Sequence, residues 1–333
     1  VEESVTAVVT PERILKDLHS LWASLAKESA PNEGASVLRA CAMTVIVLAD
    51  ESEGAAGIAQ TLGLVMQDHP NRAVVVRVGS GSEPHLDFQV TAQCWRPFGR
   101  ERQICCEQVE MTASEGSLAD AVPVLLAIAA PDLPVAVWCR SPRLFGLAAL
   151  DRLYARADRI IVDSRDVPLA ELARAVAGSR GRLADLAWTS VTRWREIVAE
   201  IFEDPVRREL IPRLARVRVL HSASAVPSTA YYLAGWILAA SGTGLRPVFE
   251  EVPPVGGGIE GIVLEAGTES ISIRRVEGTA ILIEIGSLKN CTSAPRLSEA
   301  ELLGTELAIT GRDPVFEKTL PVAARLAEAI HAL

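Results

Sequence analysis

Val135-Ala136-Val137-Trp138 and, across a helical spacing at 145–156, Ile160-Ile161-Val162 decide the fold class. Each is a short unbroken apolar run rich in Val and Ile, the pattern of a strand buried on both faces. Two such runs joined by a helix form a strand–helix–strand unit of an α/β sheet. Working upstream, Val45-Ile46-Val47-Leu48 reads the same way, as does 73–78, and a helix at 54–68 lies between them, ending before His69-Pro70. Strand patterns at 85–94 and 103–112 flank a turn around Pro97-Phe98-Gly99, and a helix at 119–129 leads back to Val135. At the start, Thr10-Pro11-Glu12 supplies a hydroxyl N-cap, a proline at the first helical position and an acid at the positive dipole end. The N-terminal half is therefore expected to be α/β, a mixed sheet covered by helices.

Downstream the texture changes. Helices are expected at 169–177 and 191–202, a short strand at 217–220, and a helix at 231–240 that is apolar nearly all round and so buried. After Pro253-Pro254, strands at 261–265, 270–276 and 280–285 are separated by Gly267 and Glu277-Gly278, an antiparallel meander. A helix at 314–332 closes the chain. The expected division is an N-terminal α/β domain, 1–166, and a C-terminal α+β domain with the meander, 167–333.

Composition narrows the function. The 333 residues are 49% hydrophobic and carry a net charge of −9, with nearly all basic residues arginine. That balance opposes the basic stripe a nucleic acid needs. The longest apolar stretches, 121–130 and 230–240, fall short of the roughly 20 residues of a membrane span. Val1-Glu2-Glu3 offers neither a basic n-region nor an apolar h-region, so a cytoplasmic location is expected. Cys41, Cys94, Cys105, Cys106, Cys139 and Cys291 are scattered and do not read as a secreted disulfide framework.

Signatures of catalysis are weak. Gly256-x-Gly258-x-x-Gly261 matches the dinucleotide pattern, but prolines precede it and a strand follows, so it reads as a loop. Gly79-Ser80-Gly81-Ser82 follows a strand and leads into another, a hairpin loop. No phosphate-binding lysine follows a glycine-rich loop, and no Cys-x-x-Cys or His-x-x-x-His pair offers metal ligands on one face. No Gly-x-Ser-x-Gly elbow appears. Neither a catalytic residue, a cofactor nor a metal is expected.

Five strings remain: His69-Pro70-Asn71-Arg72; Cys105-Cys106-Glu107-Gln108-Val109; Asp132 to Arg140, read Asp-Leu-Pro-Val-Ala-Val-Trp-Cys-Arg; Asp158-Arg159-Ile160-Ile161-Val162-Asp163-Ser164; and Asp185-Leu186-Ala187-Trp188-Thr189 running into Trp194-Arg195-Glu196. In this order and spacing they resemble the OpcA family, the glucose-6-phosphate dehydrogenase assembly proteins, over about 45–244. The resemblance implies a non-catalytic factor that supports assembly or activation of glucose-6-phosphate dehydrogenase in the oxidative pentose phosphate pathway. It also implies redox control, with thioredoxin as a second candidate partner. Many relatives carry two tryptophans before the arginine where this chain has Trp138-Cys139-Arg140, and an arginine is common after the tryptophan at Trp188. The alternative is an enzyme or binding protein for a sugar phosphate or nucleotide with an unrecognised site.

The expected partner contacts are Trp138 and Arg140, where a buried strand emerges into a loop, together with Cys105, Cys106 and Glu107. Tryptophan and arginine are favoured interface anchors; the other reading puts Trp138 in the core and pairs Arg140 with an acid. Arg207, Arg208 and Arg213, with Arg216 and Arg218, form the one basic cluster, either a docking patch for an acidic surface or a solvated face. If the hairpin turns at Gly99, residues whose numbers sum to about 199 face each other, so Cys94 and Cys105 oppose as a redox candidate pair.

Overall fold

The computed structural model describes residues 9–29, 37–97, 103–177, 182–242, 244–309 and 311–331. The chain forms two compact units, Val1–Val162 with Glu299–Thr310, and Asp163–Ser298 with Gly311–Leu333. A single boundary between 166 and 167 therefore leaves out one element: helix Glu299–Ala308 belongs to the first unit. It buries Leu302, Leu303 and Leu307 there, and its Glu306 forms a buried ion pair with Arg159.

Seven strands build the sheet of the first unit: β1 (Val37–Arg39), β2 (Met43–Asp50), β3 (Asn71–Gly79), β4 (Leu86–Trp95), β5 (Gln103–Ser114), β6 (Val135–Cys139) and β7 (Arg159–Val162). Strands β5, β3, β2, β6 and β7 lie side by side in that order, all parallel. β1 runs parallel to the first residues of β5, and β4 lies antiparallel along the other side of it. Helices on both faces leave Thr44 to Ala49 of β2 without exposure, which is why this run shows no polar alternation. Thr44 is tolerated because its hydroxyl accepts the Ala130 N–H at 2.9 Å.

Two local expectations change. The loop Gly79–Ser82 does not close a hairpin, because β5 lies between β3 and β4 and the chain crosses it; the hairpin is β4–β5. Its expected turn at Phe98-Gly99 lies outside the described residues. The helix expected over 145–156 is broken into Pro142–Phe145, a 3-10 turn at Ala148–Leu150, and Asp151–Arg156. Leu144, Phe145, Leu150, Leu153 and Tyr154 are all buried, and at about 3.6 residues per turn they would point all round a single helix. Breaking at Gly146 turns both groups inward.

The second unit holds β8 (Leu183–Asp185), β9 (Arg216–His221), β10 (Arg246–Glu251), β11 (Ile259–Ala266), β12 (Glu269–Glu277), β13 (Ala280–Ile285) and β14 (Leu288–Ser293). Six of these form a sheet ordered β10-β9-β11-β12-β13-β14, antiparallel except for the β10–β9 pair. Gly267 and Gly278 adopt positive φ (66° and 50°), as the tight turns of the meander require. Helix Ser228–Ser241 is buried along most of its first half, Tyr232 completely. No helix among the described residues is long and apolar enough to cross a membrane.

Candidate functional site

In a sheet of this order, ligands characteristically sit beyond the carboxyl ends of the strands where the order reverses, here between β2 and β6. The residues that emerge there are charged. β2 ends on Asp50, with Glu51 and Glu53 following; β6 is followed by Arg140. Arg140 pairs with Glu53 and, at 2.8 Å, with Glu299, while its guanidinium lies 4.4 Å from the Trp138 ring centroid. Arg143 bridges Asp50 and Glu115, both at 2.5 Å, and donates to the Val78 carbonyl at 3.0 Å. Glu51 covers the end of β3, where a Cβ on Gly79 would lie 2.5 Å from its carboxylate.

Five carboxylates and two guanidiniums thus occupy the crevice. The helix that follows β2, Ala55–Asp68, starts after Gly54 with no side-chain cap, but the carboxylates around it would repel the pyrophosphate of a dinucleotide. The residues at the strand ends do not fit one. The second glycine pattern is filled as well. The N–H groups of Gly256 and Gly257 donate to Glu260, at 3.1 and 2.5 Å, and Glu260 is itself buried beside Arg275. A Cβ on Gly256 would collide with the Arg275 side chain, so glycine there admits the arginine rather than a phosphate.

The β4–β5 register runs Leu86↔Ala113 to Trp95↔Ile104, and Cys94 opposes Cys105 in a disulfide with a Cα separation of 4.1 Å. Beside it Glu107 is 2% exposed. It accepts from Arg72 at 2.6 Å and from the Trp22 indole at 2.6 Å, and pairs with Arg39 at 2.7 Å. Arg72 also donates to the Ile128 carbonyl at 2.5 Å. The Cys106 thiol is buried and pushed up to about 11, chiefly by that burial, so it is a poor nucleophile at neutral pH.

Trp138, Cys105, Cys106 and Glu107 therefore lie inside the first unit and present no surface to a partner. The apolar runs that carry them are covered on both faces, which draws every side chain of the run inward. Arg140 keeps 18% of its side chain exposed but is engaged by its two acids. The basic cluster is on the surface of the second unit, with its charges matched: Arg207 to Asp204, Arg213 to Glu269, Arg216 to Glu265 and Arg218 to Glu250. Arg208 caps the preceding helix through the Phe202 and Glu203 carbonyls. Arg143 carried no sequence signal, because its meaning lies in acids from two other segments, Asp50 and Glu115.

The Asp185–Trp188 string builds a buried polar centre. Asp185 accepts from the N–H groups of Ser164 and Ala187, at 3.0 and 2.9 Å, and from the Tyr232 hydroxyl. Full burial outweighs these bonds and pushes its carboxyl up to about 6, and burial beside Asp185 drives the Tyr232 phenol well above its ordinary range. A raised folded-state value favours the native state most at low pH. Stability contributed by Asp185 is full below about pH 4 and falls as pH rises through about 6, by about 3 kcal/mol. Asp185→Asn removes that component: the stability of wild type relative to the variant, from urea unfolding, should drop by this amount between pH 4 and pH 7. A difference that is flat or rising would contradict it.

Among the described residues, no group of three or more His, Cys, Asp or Glu side chains is placed to hold a metal ion. Residues 64–177 match the family described as the N-terminal domain of a glucose-6-phosphate dehydrogenase subunit, and residues 182–320 the family described as the C-terminal domain of the same. The chain is similar to the OxPP cycle protein OpcA of Synechocystis sp., 26% identical over 264 residues, covering 77% of this chain and 48% of that protein. It is similar to the protein of the same name from Nostoc punctiforme, 26% identical over 176 residues, covering 51% and 37%. The chain thus spans less than half the length of these relatives. Among solved structures, it is similar to KijD10, a 3-ketoreductase from Actinomadura kijaniata, at 13% identity and a TM-score of 0.49, covering 86% of this chain and 96% of that one.

Proposed function

The chain belongs to the OpcA family of glucose-6-phosphate dehydrogenase assembly proteins, and from that premise we propose that it is a non-catalytic assembly factor and allosteric activator of glucose-6-phosphate dehydrogenase in the oxidative pentose phosphate pathway. The observation that carries the non-catalytic reading is the crevice between β2 and β6, where the protein's own Asp50, Glu53, Glu299, Arg140 and Arg143 take the place of a ligand. Such a factor raises activity only by binding the active state of the dehydrogenase more tightly than the inactive one.

The surface best suited to that contact is on the second unit. A cavity of about 340 Å³ between helix Thr192–Glu203 and strands β13 and β14 is lined by Ile201, Ile283, Ile285 and Leu288, with Arg207 and Lys289 among its charged lining. Leu288 is 60% exposed. An apolar centre with a charged rim is the ordinary anatomy of a protein interface. Arg207, Arg208 and Arg213 remain in the proposed contact surface; the buried candidates do not.

The redox part rests on Cys94–Cys105. This bridge fastens the edge strand β4 to β5 two residues from Glu107. A dithiol of the thioredoxin class would reduce it to two thiols, giving up two electrons and two protons and becoming a disulfide itself. Loss of the bridge frees the hairpin end.

The test measures the dehydrogenase of the same organism with and without this protein, across substrate concentrations and in reduced and oxidised buffers, beside size-exclusion of the mixture. Activity should rise with co-elution, and Leu288→Asp should weaken the apparent affinity about tenfold or more. No activation and no complex in either buffer would sink the reading. A redox response unchanged in Cys94→Ser would remove the disulfide from it.

A further inference from the structure

The free side of strand β4 plays no part in that reading. β4 pairs with β5 from Leu86↔Ala113 to Trp95↔Ile104 with no shift of register, and among the described residues no strand lies along its other side. Its two faces are covered. On one, the Arg13 guanidinium of helix Pro11–Ser29 lies 5.5 Å from the Phe88 ring centroid; on the other, Gln93 reaches the Ala59 carbonyl of helix Ala55–Asp68. Sheets ordinarily blunt an open edge with charge, proline, a bulge or a cover. In the second unit, β10 carries Pro247 with Arg246, Glu250 and Glu251. At β14, Lys289 pairs with Glu284, and Arg193 donates to the Ser293 carbonyl at 3.1 Å. β4, Leu-Asp-Phe-Gln-Val-Thr-Ala-Gln-Cys-Trp, is 10 residues long, has Asp87 as its one charged residue, and contains no proline.

The register also fixes which backbone groups point outward. The His85 carbonyl accepts the Ser114 N–H at 2.9 Å, so odd-numbered residues along β4 direct their N–H and C=O groups toward β5. Cys94 and Cys105 agree with this: their Cα separation of 4.1 Å is the close spacing of a non-hydrogen-bonded pair. Without a register shift the alternation runs the length of the strand. Leu86, Phe88, Val90, Ala92 and Cys94 therefore direct their N–H and C=O groups to the free side.

We propose that β4 pairs antiparallel with β4 of a second copy of this chain, about a two-fold axis at Val90. Leu86 then faces Cys94 of the second copy, Phe88 faces its Ala92, and Val90 faces its Val90. All of these are outward-directed residues, so each facing pair exchanges two N–H···O=C bonds and no free group is left over. Asp87 meets Gln93 of the second copy, so no like charges are opposed. An axis normal to the sheet keeps each face on its own side. The apolar side chains of Leu86, Phe88, Val90 and Ala92 thus continue into those of the second copy, under helix Pro11–Ser29, where Leu15 is 42% exposed. The pairing closes after two chains, since each offers one such edge. The inference stands apart from the dehydrogenase reading and needs no dehydrogenase.

Sedimentation velocity of the full chain over a dilution series, beside amide-exchange mass spectrometry of the β4 peptide, tests it. A monomer–dimer equilibrium is expected, and exchange at β4 should slow as protein concentration rises. Ala92→Pro removes an outward N–H and spares the bonds to β5. The unfolding midpoint of the dilute chain should therefore hold, while the dimer dissociation constant rises about thirtyfold, the effect of the two bonds lost per dimer. Val90→Lys sets two ammonium groups opposite each other at the axis and should weaken the dimer by a similar factor, part of it recovered in high salt. A chain that stays monomeric at every concentration, or a dimer indifferent to both variants, would overturn the proposal. Exchange at β4 that slows only when the dehydrogenase is added would overturn it too, and would assign the edge to that partner.

Discussion

Replacing Arg72 with leucine should destabilise the first unit by about 3–5 kcal/mol, the range for removing one partner of a buried ion pair. Arg72 and Glu107 are 6% and 2% exposed, so solvent cannot take over the role of the missing guanidinium. Two losses combine. Glu107 keeps Arg39 and the Trp22 indole but gives up its only buried cation, and the Ile128 carbonyl loses its donor. Because Arg39 is half-exposed and still paired, the loss should fall at the lower end of the range. Adding Glu107→Gln to Arg72→Leu should restore part of it, since an amide buries without an uncompensated charge. A double-mutant cycle by urea unfolding gives the coupling directly. A loss of less than about 1 kcal/mol for Arg72→Leu would mean that Arg39 alone neutralises the site.

Trp188→Ala should cost the second unit a similar amount, about 3–5 kcal/mol, the usual range for emptying a buried tryptophan site. Trp188 is 2% exposed and meets Tyr232 and Phe316 at ring-centroid distances of 5.6 and 5.8 Å. The Arg195 guanidinium lies 3.5 Å from its centroid. Its indole N–H donates to Asp313 at 2.9 Å, and the same aspartate caps the last helix through the N–H groups of Val315 and Phe316. The truncation therefore opens a cavity and loosens a helix start together. Trp188→Phe separates the two: it keeps most of the packing and loses only the hydrogen bond, for about 1 kcal/mol. Near-equal losses for the two variants would show that the cap, not the packing, dominates.

The same two networks mark how far the residues could be read before folding. The Asp185–Trp188 and Cys105–Val109 strings stand out as unusual composition, yet Glu107 reads as a surface contact until Arg72 and Trp22 are seen to enclose it. The edge strands β10 and β14 escape the alternation test for a physical reason: each has one neighbour, and β14, Leu-Lys-Asn-Cys-Thr-Ser, is mostly exposed and carries no buried face to impose a period. The opposition of Cys94 and Cys105 is legible because a hairpin ties register to sequence number, so one turn position sets every pair.

By itself, then, the sequence determined what short-range rules can carry. Unbroken Val and Ile runs admit only strands covered on both faces, and glycines at Gly267 and Gly278 place the meander's turns. The tertiary structure alone decided which charges meet. Glu53, Arg140 and Glu299 come from three distant segments, and whether the crevice of the sheet is open to a ligand or filled by the chain depends on their convergence. No periodicity encodes that, because an ion pair is selected by where loops and helices end in space and by the low dielectric that burial creates there, not by spacing along the chain.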